Sequence, residues 1–380
     1  MRKLVPIVIG AIFWAWMTEA STRGTYGVHR QSSANSISFF MLVLTLALPI
    51  TLRTSFNDTH AYIRGFNTAP AIDGLMRSGA LHLLRNPLFV IYRSLVRTCT
   101  DNKLVFFLFP AFFVQYSYAR FIRRHSPSFL MGIALYLFLG AYVFSMAAMK
   151  QTIAMAILLY GVDGLIEGKL LRFYLLVVLA FLFHTYAIVF LILPFFTVRP
   201  WSFRSFLLLF GVLFVMAGFE TVMPVFLDLA NGIGMNVSSE ELLGAAAINP
   251  IRVAVYAVTP LFALVFRRYL FTACKDREHN ILVNMSFITA AIMSVGLIGA
   301  ANMFARMGQY FEFGIICGLP WMLGKPFEKS SERLICMIAL VCFAGFFCYA
   351  NLVQIVFDDN FVQCTLMEAL GGIWNDFLYG

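Results

Sequence analysis

Ten apolar runs, separated by charged breaks, are strung along this chain at about 4–18, 37–52, 104–119, 128–147, 151–166, 205–222, 251–266, 281–300, 307–323 and 334–357. A helix crosses a ~30 Å hydrocarbon core with about 20 residues, so the shorter runs need flanking residues to span. Inside hydrocarbon each backbone polar group must be paired within its own segment, which favours helices. The chain is 61% hydrophobic and 12% charged, whereas soluble domains run near ~45–50% apolar and ~25% charged. The sequence therefore reads as an all-α, polytopic integral membrane protein with about 10–12 transmembrane helices. No period of 20–50 residues repeats, and residues 1–380 read as one membrane domain with inserted loops. The N-terminal run, Leu4 to Met17, lacks a small-residue cleavage pattern and reads as an uncleaved first helix.

In such a chain the net charge of +9 is a topology signal, not a footprint for nucleic acid. With the loop carrying Arg23 and Arg30 placed in the cytoplasm, alternation puts Arg120, Arg123, Arg124, Lys169 and Arg172 inside. The loop 53–103, with seven Lys and Arg, then lies outside, where basic groups suggest work on anions. One further run, 173–198, decides the parity of the later loops. If it crosses once, the basic groups Arg267, Arg268, Lys275 and Arg277 and the later Lys325, Lys329 and Arg333 fall outside, against the rule. If it enters and returns, broken near His184, they fall inside. Its 26 residues suit two half-helices, and such breaks occur where they line a protein-enclosed or watery cavity. We take the re-entrant reading; one long, tilted helix is the alternative.

The outer loop opens at Leu52-Arg53-Thr54-Ser55-Phe56-Asn57-Asp58-Thr59-His60-Ala61-Tyr62, a dense polar cluster at the end of a span. Such a cluster is either a solvated boundary or a site. Further along, Asn86-Pro87 is a good helix start. Leu88, Ile91, Tyr92 and Leu95 recur at helical spacing, with Arg93 and Arg97 on another face, the pattern of an interfacial amphipathic helix. The stretch 223–250 carries Asp228, Glu240 and Glu241 with no Lys or Arg and reads as a second outer loop.

Under the re-entrant reading the outer face collects Arg53, Asn57, Asp58, Lys150, Gln151, His184 and Arg306. Three cations on one face of an apolar protein suggest an anionic ligand, and guanidinium forks suit phosphate oxygens. The plainer role for each is a snorkelling contact with lipid phosphate. His184 is the one histidine inside a long apolar run; it is a packing residue or, as a neutral imidazole, a base for a sugar hydroxyl. Asp58 is the rival base, a group that orients an arginine or a sugar hydroxyl, or a helix cap ahead of Tyr62.

Seven cysteines, without a Cys-x-x-Cys pair, give no metal or disulfide framework, and no metal site is expected. There is no Walker A, His-Glu-x-x-His or Gly-x-Ser-x-Gly motif, and no Asp-Asp or Asp-x-Asp pair stands in a catalytic context; Asp358-Asp359 lies far along the chain without partners. A cytosolic nucleotide-sugar transferase is thus unsupported.

Taken in order, five stretches resemble the EpsG-like branch of the Wzy-type polysaccharide polymerases of bacteria. They are Arg53 with Asn57-Asp58-Thr59 and Tyr62; Asn86-Pro87-Leu88-Phe89; Lys150-Gln151-Thr152-Ile153-Ala154; Phe183-His184; and Arg306 with Tyr310-Phe311. The likeness covers roughly residues 50–315, and no motif carries over beyond about 325. The third element usually reads Arg-Gln in that family, so Lys150 departs from it and loses the bidentate fork. The first usually carries Gly-Thr-Asp or a similar triplet; here Ser55-Phe56-Asn57 precedes Asp58.

The resemblance implies an enzyme that joins oligosaccharide repeat units carried on undecaprenyl pyrophosphate, at the outer face of the bacterial cytoplasmic (inner) membrane. It implies His184 and Asp58 as catalytic residues. Arg53, Asn57, Tyr62, Lys150, Gln151, Arg306 and Tyr310 would bind the substrate and its pyrophosphate. No cofactor is implied. The partners implied are the lipid-linked oligosaccharide, membrane lipids, and the chain-length regulator and flippase of the same pathway. A flippase of the lipid-linked sugar is the competing class, since broken helices and buried cations also suit alternating access, although no internal symmetry is found. A non-catalytic scaffold is the third.

Overall fold

The computed structural model describes residues 2–23, 33–78, 85–232, 247–271, 276–354, 357–369 and 371. Of the sequence readings, Arg30, Glu240, Glu241 and Lys275 lie outside the described residues. The described chain is built almost wholly of helices. In order they are α1 (Val5–Arg23), α2 (Ser33–Leu52), α3 (Thr59–Asn67), α4 (Ile72–Arg77), α5 (Pro87–Cys99), α6 (Lys103–His125), α7 (Phe129–Phe138), α8 (Ala141–Ala147) and α9 (Met149–Ile166). Then come α10 (Leu170–Phe183), a 3₁₀ helix (Thr185–Phe196), α11 (Phe203–Ala217), α12 (Phe219–Gly232), α13 (Pro250–Val265), α14 (Arg267–Leu270) and α15 (Arg277–Val295). The rest are α16 (Ala301–Gln309), α17 (Phe313–Leu323), α18 (Lys329–Tyr349) with a π turn (Ala350–Gln354), and α19 (Phe357–Asn360). Two short strands, β1 (Arg53–Ser55) and β2 (Val362–Gln363), pair antiparallel.

Among the described residues, Lys103–His125, Met149–Ile166 and Ser331–Val353 are long and apolar enough to cross a membrane alone. Two bent pairs, Phe129–Phe138 with Ala141–Ala147 and Phe203–Ala217 with Phe219–Leu229, each pass the same test as one broken span. Shorter apolar helices, among them Ser36–Leu52 and Pro250–Val265, make up the rest. The fold is that of an all-α polytopic membrane protein.

Contacts group the chain into two compact units: Met1–Arg124 with Ser128–Ala156 and Cys342–Gly380, and His125–Pro127 with Ile157–Val341. In the first unit α1 and α2 form an antiparallel hairpin, and Thr18 Oγ1 reaches Ser38 Oγ at 3.0 Å across it. The same unit holds a strap made of the last described residues. The Asp358 carboxylate accepts from the backbone N–H of Arg2 and Lys3, while Lys3 Nζ donates to the carbonyls of Asp358 and Phe361. β2 then pairs with β1, and the backbone N–H of Cys364 donates to Leu52 O at 3.0 Å. Phe357 and Phe361 close over Phe56, and all three rings are fully buried.

The run 128–147 is a broken span: it bends by 55° at a break that holds Gly140, which adopts φ +85°. A side chain at Gly140 would meet nothing within 4 Å, so only backbone strain opposes one. Gly140→Ala is therefore expected to cost about 1–2 kcal/mol, read as a lower thermal midpoint in detergent. The run 205–222 likewise breaks, after Ala217, and turns by 106°, because the chain continues as α12 into what the sequence suggested was loop. The amphipathic helix is present as α5, but it packs through Phe89, Tyr92 and Val96, and Leu95 is exposed. Aromatic partners decide that face: Phe106 stacks on Tyr92, whose hydroxyl donates to Phe106 O at 2.7 Å.

In the second unit the chain does break at His184. α10 ends there, His184 is extended at φ −154° and ψ 117°, and the 3₁₀ helix begins at Thr185. Phe173 and Phe190, seventeen positions apart in sequence, stack with centroids 6.1 Å apart. A straight helix would separate them by about 25 Å, so the run turns back on itself and His184 sits at the turn.

Candidate functional site

In the first unit, α2 delivers the chain to a polar corner. Arg53, expected among the residues that bind the pyrophosphate, is 2% exposed. Its Nη1 donates to Ile50 O at 2.6 Å, its Nε to Thr59 Oγ1 at 3.1 Å, and its guanidinium lies 4.3 Å from the Phe107 ring centre. Arg53 thus caps the end of α2 and ties it to the start of α3. Burial pulls its pKa down to about 10, still well above neutrality. Its Nη2 is buried without a hydrogen-bond partner among the described residues, beside a void of about 10 Å³ lined in part by Gln115 and Ser145. That is room for one water, with polar groups to hold it.

Past Arg53 the chain turns through Asn57, at φ +42°, and Asp58 stands at the head of α3 without capping it through its side chain. Asn86 heads α5 in the same left-handed region, at φ +56°, and likewise makes no side-chain cap. Asparagine tolerates that conformation better than most residues, and strained positions gather at functional sites. Between these helix starts lies a cavity of about 280 Å³, lined by Asp58, Ala61, Tyr62, Arg85, Asn86, Phe89, Val90, Arg93 and Lys150. Tyr62 and Phe89 meet edge to face at 5.9 Å, and Lys150 Nζ lies 6.0 and 5.5 Å from their ring centres. Rings at that range hold an ammonium by cation–π attraction.

Three cations and one carboxylate therefore line one aromatic-walled basin. Of the residues expected here, Asp58, Tyr62 and Lys150 line it. Asn57 is exposed just before Asp58, and Gln151 is buried within α9. Arg85 and Arg93 went unassigned in the sequence. The signal was present, because Asn86, Phe89, Val90 and Arg93 follow i, i+3, i+4, i+7 and so share one face of a helix starting at Pro87.

The second unit holds another cluster. His184 Nδ1 lies 2.8 Å from the Tyr310 hydroxyl, and the Tyr186 ring stands edge-on to the imidazole at 5.1 Å. Tyr310 ends α16, and Arg306, one turn earlier, donates through Nε to Asn302 Oδ1 at 3.0 Å. The corner that carries Tyr310 is pinned residue by residue. Phe311 stacks on Phe190 at 4.9 Å, and buried Glu312 accepts from the Tyr256 hydroxyl at 2.7 Å. Gly314 sits so close to α15 that a Cβ would fall 2.4 Å from Leu282 O. Among the described residues no cluster of three or more His, Cys, Asp or Glu could hold a metal ion.

The model of the EpsG family matches residues 36–366, most of the chain. The chain belongs to the EpsG family. EpsG proteins are Wzy-like polymerases, which places the chain among membrane proteins of polysaccharide polymerisation, with a glycosyltransferase-like reaction. Comparison with curated proteins and with solved structures finds no match. The EpsG match takes in the basin, the His184 turn and the corner at Tyr310. It also runs past the last motif legible in the sequence, as far as the strap that pairs with Arg53.

Proposed function

We propose that this EpsG protein joins oligosaccharide repeat units carried on a lipid pyrophosphate, at the outer face of the bacterial cytoplasmic membrane. An acceptor sugar hydroxyl attacks the anomeric carbon of the donor glycan. The bond from that carbon to the phosphate oxygen breaks, and the lipid pyrophosphate leaves with the electron pair. The observation that carries this reading is the basin: Arg85, Arg93 and Lys150 against one Asp58, with Tyr62 and Phe89 as wall. Preorganised cations stabilise the charge that grows on a departing pyrophosphate, and aromatic faces suit sugar rings. In this reading Lys150 and Arg306 meet phosphate oxygens, Asp58 orients a sugar hydroxyl, and His184 takes the proton of the acceptor hydroxyl. Arg53 and Asn57 shape the loop, and no metal enters.

The test is a gel of lipid-linked glycans from cells lacking the protein, complemented with wild type, Lys150→Ala or Arg306→Ala. Wild type should restore the ladder. Each variant should leave single repeat units at the outer leaflet, with polymer reduced by roughly 10²-fold or more. A full ladder from both variants would defeat the site assignment. Repeat units trapped on the cytoplasmic side would instead make the protein a transporter, the class that a hairpin broken at His184 also suits.

A further inference from the structure

Arg93 differs from the other cations of the basin in how it is held. Its Nε is buried with no hydrogen-bond partner among the described residues, and no carboxylate pairs with it there. Leaving a charged donor unpaired costs free energy; Arg93 also lines the basin, and guanidinium donors suit an oxyanion. The neighbouring helix makes room for this. Gly65 on α3 faces the guanidinium so closely that a Cβ there would sit 2.8 Å from Arg93 Nη1. The guanidinium therefore lies alongside α3, threaded past the one residue type without a side chain.

We propose that Arg93, seated against Gly65, is the bidentate phosphate ligand of the basin and selects a diphosphate over a monophosphate. Lys150 is a point charge and cannot offer a planar fork, so the two-pronged recognition falls to Arg93, with Arg85 and Lys150 as the flanking charges. A diphosphate presents oxygens to all three cations at once; a monophosphate is too small to do so. The assignment rests on reading the basin as the pyrophosphate site.

Two substitutions separate the idea from simple loss of fold. Arg93→Gln removes the fork. Gly65→Ala leaves every charge in place and favours helix within α3, but its methyl pushes aside the far end of the Arg93 side chain. The full-length protein in phosphatidylcholine nanodiscs would be titrated with inorganic pyrophosphate and with inorganic phosphate, then again in discs containing phosphatidylglycerol. Wild type should bind pyrophosphate at least about tenfold more tightly than phosphate, and both variants should lose roughly tenfold or more of that affinity. Variants that bind pyrophosphate like wild type, while Lys150→Ala does not, would overturn the role of Arg93 and leave the basin as the site. Failure of wild type to bind, or of Lys150→Ala to weaken binding, would overturn the reading of the basin itself. Loss of pyrophosphate binding in phosphatidylglycerol discs would show that the arginine serves a membrane headgroup, and would overturn the diphosphate assignment.

Discussion

Replacing His184 with alanine is expected to lower polymerisation by roughly 10²–10⁴-fold while leaving the protein in the membrane at wild-type abundance. A neutral imidazole has one donor and one acceptor nitrogen, and the hydrogen bond at one fixes the role of the other. For His184 to take a proton at Nε2, its Nδ1–H must donate to the Tyr310 oxygen, 2.8 Å away. Tyr310 would then act as the group that sets the tautomer and the ring plane. Tyr310→Phe removes that acceptor and should cost activity with little change in apparent substrate affinity. His184→Gln keeps a polar side chain of similar reach at the hairpin turn and should be as inactive as alanine. Polymerisation within a few-fold of wild type in His184→Ala, measured in membranes with matched protein levels, would remove the base from the scheme. His184 would then be a packing residue at the turn between α10 and the 3₁₀ helix.

Phe361→Ala is expected to destabilise the first unit by about 3–5 kcal/mol and to abolish polymer formation, although Phe361 lines no part of the basin. The ring is 1% exposed, sits 4.8 Å from Phe357 and 6.1 Å from Phe56, and stands one residue before the strand that pairs with Arg53–Ser55. Losing it removes the packing that seats β2 on β1, and with it the support under the turn that presents Asp58. Val362→Ala, half-exposed on the same strand, should change little. Thermal unfolding in detergent and protease cleavage within 53–58 would measure both. Because Phe56 and Phe361 share one cluster, the double variant should fall short of the sum of the single losses. Additive losses would mean that the strap and the loop are independent.

How much of this was legible depends on what each signal encodes. Apolar runs encode burial in lipid, so helices appear where the runs lie, and the break at His184 came from length and charge parity. Bends did not show. Gly140 and Gly218 look like any glycine in an apolar run, and the turns they permit are chosen by what packs around them. Arg53 was singled out correctly as a cation at the end of a span. Whether such an arginine faces a ligand or caps its own helix depends on a carbonyl, a hydroxyl and a ring brought in by the fold. Arg85 and Arg93 were missed for a simpler reason. The apolar spacing of α5 drew attention to Leu88 and Leu95, while the face that mattered mixes an asparagine, a phenylalanine, a valine and an arginine. The strap left no motif, because a two-residue strand and a pair of phenylalanines carry no local signature.

The strap also sets a schedule for making the protein. The carbonyl of Leu52 waits for the backbone N–H of Cys364, a residue 312 positions later. A ribosome adding about 5–20 residues per second threads α2 into the membrane well before that partner exists. Through that interval the edge at Arg53–Ser55 is open and the polar corner beneath it lacks its cover. A chain interrupted before Phe357 would be inserted and largely helical, yet without a supported Asp58 loop. Completing the corner therefore awaits the synthesis of residues 357–364, long after α2 has been threaded.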